Sequence, residues 1–329
     1  MTPGEYDRFV SDPFTDERIA GADAPAIVVV AGAGGDIADP ASLPIVVAWL
    51  GTGLGADGPT HADVVVGEEE VDQLVATVER APIAARSLAL LLRGLPKVDV
   101  DTGLAMESAV YSVLQSGPEF DAWRRSSRHD PIVDAESTVV VERSDDAAVV
   151  ITLNRPARHN AISTRLRDEL SEALWVPLAD PSIASVRLRG AGRSFCSGGD
   201  LGEFGSRRDP AIAHVTRLAR SPARLIHRLA DRLTVDVHGA TMGGGIEMAS
   251  FAGYVRAHPD TRIALPEIEL GLVPGAGGTV GLTRRIGRQR TAALALTGTT
   301  IAASVARDWG LVDEISDDVI IDVTADGAG

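Results

Sequence analysis

From residue 137 onward, short apolar runs alternate with amphipathic stretches. Ala147–Leu153 is an almost unbroken apolar run and predicts a buried strand. Ser163 then precedes Leu166, Leu170 and Leu174, whose four-residue spacing predicts one face of a helix with a serine cap. In Ala184–Gly190, Val186 and Leu188 alternate with Arg187 and Arg189, as in a strand buried on one face. A helix around 211–231, a strand at Thr234–Val237 and a helix starting near Gly243 complete the pattern. Strands alternating with helices predict an α/β architecture.

The first part of the chain reads differently. Ala26–Ala31 and Pro44–Leu50 are short apolar runs separated by Gly, Asp and Pro, consistent with strands and loops. Val71, Leu74, Val75 and Val78 form a helical stripe. Pro82 is placed to open a helix carrying Leu88, Leu91 and Leu92, and Leu104, Ser108, Tyr111 and Leu114 suggest one more. This half shows no cluster of chemically active residues. A polar stretch at 126–137, with the turn signal Ser-Ser-Arg-His-Asp-Pro, marks the boundary. The expected division is therefore 1–135, strands then helices, and 136–329, an α/β core.

Composition narrows the chemistry. The chain has 329 residues, 45% hydrophobic but only 4% aromatic, so its core is built mainly from aliphatic side chains. Its formal charge of −15 disfavours nucleic acid as a partner. Local cations and backbone amides can still bind a phosphate-bearing molecule. A single cysteine excludes an intrachain disulfide and a multi-cysteine metal site. The acidic N-terminus carries no signal peptide, and no apolar run has bilayer length, so a cytoplasmic protein without membrane insertion is expected.

Three glycine-rich segments carry the candidate chemistry. In Met242-Gly-Gly-Gly-Ile-Glu, glycines between a strand and a helix start let a ligand approach unpaired amides, and Glu247 falls in the helix's first turn. Alone, this reads equally as a tight helix–sheet crossing. Phe195-Cys-Ser-Gly-Gly-Asp-Leu offers a second turn after a strand, so two turns can supply the two donors of an oxyanion hole. Leu265-Pro-Glu-Ile-Glu carries Glu267 and Glu269. In an extended segment these point the same way, and spacing does not choose between them. Pro274-Gly-Ala-Gly-Gly marks a sharp turn before a further helix. A fourth glycine pattern, Gly53-Leu-Gly-Ala-Asp-Gly, mimics a dinucleotide loop, but Pro59, Thr60 and His61 follow where a helix is required.

Taken in order with Leu153-Asn-Arg-Pro-Ala-Arg-His-Asn-Ala, Leu296-Thr-Gly and Trp309-Gly-Leu-Val-Asp-Glu, these segments resemble the enoyl-CoA hydratase/isomerase (crotonase) superfamily over roughly 137–315. The resemblance implies a spiral of ββα repeats, a homotrimer or hexamer, and hydration of a 2-enoyl-CoA to a 3-hydroxyacyl-CoA. Sister reactions are isomerisation, thioester hydrolysis or decarboxylation, and a non-catalytic subunit is the alternative outside enzymes. It assigns the oxyanion hole to the Gly199 and Gly244 amides and the acid–base pair to Glu247 and Glu267. Substrate contacts fall on Arg158, Ala161, Asp200, Leu201 and Gly243. No metal or redox cofactor is implied, coenzyme A being part of the substrate. Gly253 departs from the family, where aspartate is common. The chain also lacks the family's helices after the core, while 62–74, 81–88 and 103–124 resemble them. The resemblance therefore implies either a rearrangement that moves the tail helices ahead of the core, or an unrelated helical extension or decayed duplicate in that place.

Overall fold

The computed structural model describes residues 1–20, 24–32, 35–127, 134, 136–143, 147–206 and 209–319. Most of the polar boundary stretch and the residues from 320 onward lie outside them. Helices α1 (Pro3–Ser11) and α2 (Thr15–Ala20) precede β1 (Ile27–Ala31), β2 (Val46–Leu50) and β3 (Val64–Val66). Four helices follow: α3 (Glu68–Arg80), α4 (Pro82–Gly94), α5 (Val100–Gln115) and α6 (Pro118–Ser126). The second part runs β4 (Val139–Arg143), β5 (Ala148–Leu153), α7 (Thr164–Ala179), β6 (Ser185–Gly190), α8 (Pro210–Ala219), α9 (Pro222–Arg228), β7 (Leu233–Val237) and β8 (Ala240–Met242). It continues with α10 (Gly244–Ala249), β9 (Tyr254–Ala257), β10 (Arg262–Ala264), α11 (Gly278–Thr297), β11 (Ile301–Ala302), α12 (Ala303–Trp309) and β12 (Glu314–Ile315).

Local chemistry accounts for most boundaries. The Leu166 amide donates to Ser163 Oγ at 3.1 Å, which caps α7 as expected. The Thr102 amide donates to Asp99 at 2.8 Å, capping α5. Pro82 stands in the first turn of α4, where its missing N–H costs nothing. The single helix expected around 211–231 is instead two, α8 and α9. Ser221 caps the second, and Pro222 occupies its first turn. The Gly53 loop leads into β3, and the next helix, α3, begins only at Glu68.

Six strands in the order β12-β9-β7-β6-β5-β4 form the large sheet, parallel except for β4 against β5. A smaller sheet has the order β11-β10-β8. Consecutive strands split between the two: β7 and β9 lie in the large sheet, β8 and β10 in the small one. The pairs β4–β5, β7–β8 and β9–β10 are each followed by a helix, as in a spiral of ββα repeats, and the turns before α7, α10 and α11 meet at one cavity.

The first part supplies a parallel sheet β1-β2-β3 and a layer of helices. One continuous hydrophobic core joins that layer to the spiral: Leu74, Leu88 and Leu104 share it with Leu153, Val235 and Leu294, all essentially buried. The broken helix α11 packs against α3, α4 and α5, and α5 packs against α8. Polar ties cross the same seam, including Arg288 to Asp63 at 3.4 Å and Gln289 Nε2 to the Ala62 carbonyl at 2.9 Å. Among the described residues no helix is long and apolar enough to cross a membrane.

Candidate active site

The two glycine turns are laced together by main-chain hydrogen bonds. The Cys196 amide donates to the Ala240 carbonyl (3.1 Å), and the Met242 amide donates back to the Cys196 carbonyl (2.9 Å). On the other side the Ile162 amide donates to the Gly198 carbonyl (2.8 Å), and the Asp200 amide to the Ile162 carbonyl (3.0 Å). This lacing leaves Gly199 and Gly244 between its anchors. Among the described residues, neither of their amides donates a hydrogen bond. The turns also touch: a Cβ on Gly244 would sit 2.6 Å from Ile162 Cδ1 and 4.0 Å from Gly198 Cα. Gly243 has φ 45°, and a Cβ there would lie 2.3 Å from Glu267 Oε1. Only glycine fits both demands.

Two carboxyl groups face this place. Glu247, in the first turn of α10, accepts at Oε2 from the Ala276 and Gly278 amides at 2.7 and 2.8 Å. Glu267 opens a single 3-10 turn, Glu267–Leu270, rather than the expected extended segment. Residues two apart therefore diverge: Glu267 is buried, Glu269 exposed. Glu267 Oε2 is buried with no hydrogen-bond donor among the described residues.

Burial pushes the Glu247 carboxyl up, while the Ala276 and Gly278 amides pull it back down. Glu267 is driven well above the ordinary carboxylate range, by burial first and by the Glu247 charge second. Both carboxyls are thus held above the ordinary carboxylate range, and each is raised chiefly by its burial.

A cavity of about 240 Å³ opens over these groups, and Gly199, Asp200, Gly244, Glu247 and Glu267 all line it. The other residues singled out from sequence are elsewhere. Gly243 shapes the turn without lining the cavity, and Arg158 and Leu201 are exposed. Ala161 is half-buried beside them. Its carbonyl accepts from Arg155, which also pairs with Asp134 (2.7 Å) and Asp200 (3.0 Å). The Asp200 carboxylate is thus engaged by Arg155 and by the Gly202 amide.

The first part, in which the sequence shows no cluster of chemically active residues, reaches the cavity with one helix. Helix α5 forms one wall of the cavity with Leu104, Glu107, Ser108 and Tyr111. Glu107 is 1% exposed and accepts from the Gly277 amide, the Thr279 amide and the Thr279 hydroxyl. Burial pushes its carboxyl up, and the neighbouring Glu247 charge adds to the shift. Arg217, from α8, stacks 4.4 Å over the Tyr111 ring and donates to Ser108 and Ser112. A signal for Glu107 was present: it lies three residues after Leu104 and four before Tyr111, on the stripe that turns inward. A carboxylate on such a stripe needs a partner or a task.

Comparison with known proteins places this architecture. The family model for enoyl-CoA hydratase/isomerase matches residues 143–324. The mevalonyl-coenzyme A hydratase of Beauveria bassiana is 39% identical over 176 residues, 51% of this chain and 62% of that protein. The 2,3-dehydroadipyl-CoA hydratase of Escherichia coli is 35% identical over 54% of this chain and 69% of that protein. The chain thus spans about two thirds of the length of these relatives. The crystal structure of enoyl-CoA hydratase from Thermoplasma volcanium superposes with a TM-score of 0.51 at 34% identity, covering 56% of this chain and 73% of that one. With the matching stretch coinciding with the spiral and its glycine turns, the chain belongs to the enoyl-CoA hydratase/isomerase family.

Proposed function

We propose that the chain hydrates a 2-enoyl-CoA to a 3-hydroxyacyl-CoA. The observation that carries this reading is convergence: two unpartnered amides and two buried carboxyls line one cavity. The Gly199 and Gly244 amides receive the thioester oxygen and stabilise the enolate that develops on it. Glu247, ionised and steered by two amides, takes a proton from water as the water oxygen bonds to C3. Electrons of the alkene move towards C2 and the thioester. Glu267 then delivers its proton to C2. Afterwards Glu247 gives up its proton and Glu267 takes one up by exchange with water entering the cavity, which restores the starting state. The reaction so written draws on no metal or redox cofactor.

The chain-order change fits the same reading. We take α3 to α6 as the family's tail helices placed ahead of the core, because α5 walls the cavity that such helices close. A homotrimer or hexamer is the expected assembly, and light scattering of the purified chain measures it.

The test is hydration of crotonyl-CoA by the full chain, followed as loss of enoyl thioester absorbance. Glu247→Gln and Glu267→Gln are each expected to lose about a hundredfold or more in kcat. No turnover by the wild type, or full turnover by both variants, overturns the reading. The first result would instead favour a non-catalytic subunit.

A further inference from the structure

The turn leading into α11 is pinned from two sides. Four successive amides alternate between two carboxylates. Ala276 and Gly278 donate to Glu247, while Gly277 (2.7 Å) and Thr279 (2.9 Å) donate to Glu107. The Thr279 hydroxyl adds a third bond to Glu107 at 2.6 Å. These amides begin a helix, so the helix itself offers them no acceptor, and they carry the positive end of its dipole.

The turn has little stiffness of its own. Gly275, Gly277 and Gly278 permit many conformations, and Gly277 takes φ 107°. What shapes it is pressure from outside. A Cβ on Gly275 would lie 2.3 Å from Tyr111 Cδ2, and one on Gly278 would lie 2.6 Å from Glu247 Cγ. The acceptors on α5 and α10 thus decide where these amides point. A buried amide left unpaired costs free energy comparable to a lost hydrogen bond. If Glu107 is lost, Gly277 and Thr279 must find another acceptor or admit water, and the turn that holds Glu247 moves with them.

We infer that Glu107 is a positioning residue for the carboxylate pair: by holding Gly277 and Thr279 it fixes the turn whose other amides aim Glu247. The helix it stands on precedes the family core in the chain, so the active site is complete only when the first part docks. The kinetic part of this inference rests on the hydratase reading; the geometric part does not. The charged and titratable groups facing Glu107 are Glu247 from α10, Glu267 from the 3-10 turn, Arg217 from α8 and Tyr111 on its own helix.

The experiment uses the full chain carrying Glu107→Gln or Glu107→Asp. Gln has one acceptor oxygen where Glu has two, so one of the two amides loses its partner. The kcat for crotonyl-CoA is expected to fall about tenfold to a hundredfold, the scale of a small misplacement of a catalytic group, with KM changed about twofold or less. The alkaline limb of kcat should move to lower pH in Glu107→Gln, because the nearby negative charge that helps retain the Glu267 proton is gone. Glu107→Asp keeps the charge and is expected to keep the limb, and it carries the test if the Gln variant does not fold. Infrared titration of the carboxyl stretch follows the same proton without turnover. An inactive wild type sinks the hydratase reading, and this titration still decides Glu107. An unchanged kcat and unchanged titration, with only a lower melting temperature, assigns Glu107 to stability alone and overturns the inference.

Discussion

Replacing Gly243 by alanine tests whether the glycine turn and the acid share one geometry. The backbone there has φ 45° and ψ −123°, and a side chain in so sparsely populated a region costs about 1–3 kcal/mol. The larger effect is local. The new methyl group would lie 2.3 Å from Glu267 Oε1, whereas ordinary contact begins near 3.4 Å. The carboxyl must therefore retreat by about 1 Å, and its open side is the cavity it lines, so it is displaced within the site itself. A misplacement of that size costs about a hundredfold in rate. Gly287 supplies the control. It also has positive φ, at 80°, but a Cβ there meets nothing within 4 Å. Gly287→Ala carries backbone strain without the collision. The assay is kcat/KM for crotonyl-CoA beside thermal melting of each variant. Comparable loss of melting temperature, with activity collapsing only in Gly243→Ala, is expected. Activity within about threefold of wild type in Gly243→Ala, or an equal collapse in Gly287→Ala, refutes the proposed contact between turn and acid.

Two further expectations concern stability. Glu267 has a folded-state proton affinity raised above its unfolded value near 4.5, so its contribution is full below that pH and is lost as pH rises through the folded value. Glu267→Gln should therefore raise the melting temperature more at pH 8 than at pH 5; equal shifts at both would show that the group does not titrate as argued. Arg155 links buried Asp200 to Asp134 with its own side chain 2% exposed, so Arg155→Ala strands a buried carboxylate. Denaturant melts should show a loss of about 3–5 kcal/mol, and a loss below about 1 kcal/mol would mean the pair is solvated.

Sequence periodicity located the elements whose neighbours are local. β5, α7 and β6 appear where apolar spacing puts them, and Ser163 caps α7 as its position implied. Failures came where one residue changes the local conformation or where a partner lies far along the chain. Pro222 splits a helix that the apolar pattern alone joins into one. Glu267 and Glu269 separate because the backbone after Pro266 coils into a 3-10 turn, which a spacing argument based on extended chain cannot foresee. The convergence of Gly199, Gly244, Glu247 and Glu267 came from motif resemblance, since no local rule says which turns of a spiral meet. Glu107 escaped because its partners, Gly277 and Thr279, belong to a loop on the far side of the sequence.

The joint core of α4, α5 and α11 also bears on how the chain is made. Leu88 and Leu104 leave the ribosome long before Leu282 and Leu294 exist to cover them. At ordinary elongation rates of 5–20 residues per second the wait is about 10 to 40 s. Throughout that interval the early helices carry an unclaimed greasy face. A nascent chain of this kind calls for chaperone shelter until late in translation, and stalling before α11 should leave a product prone to aggregation rather than a folded half.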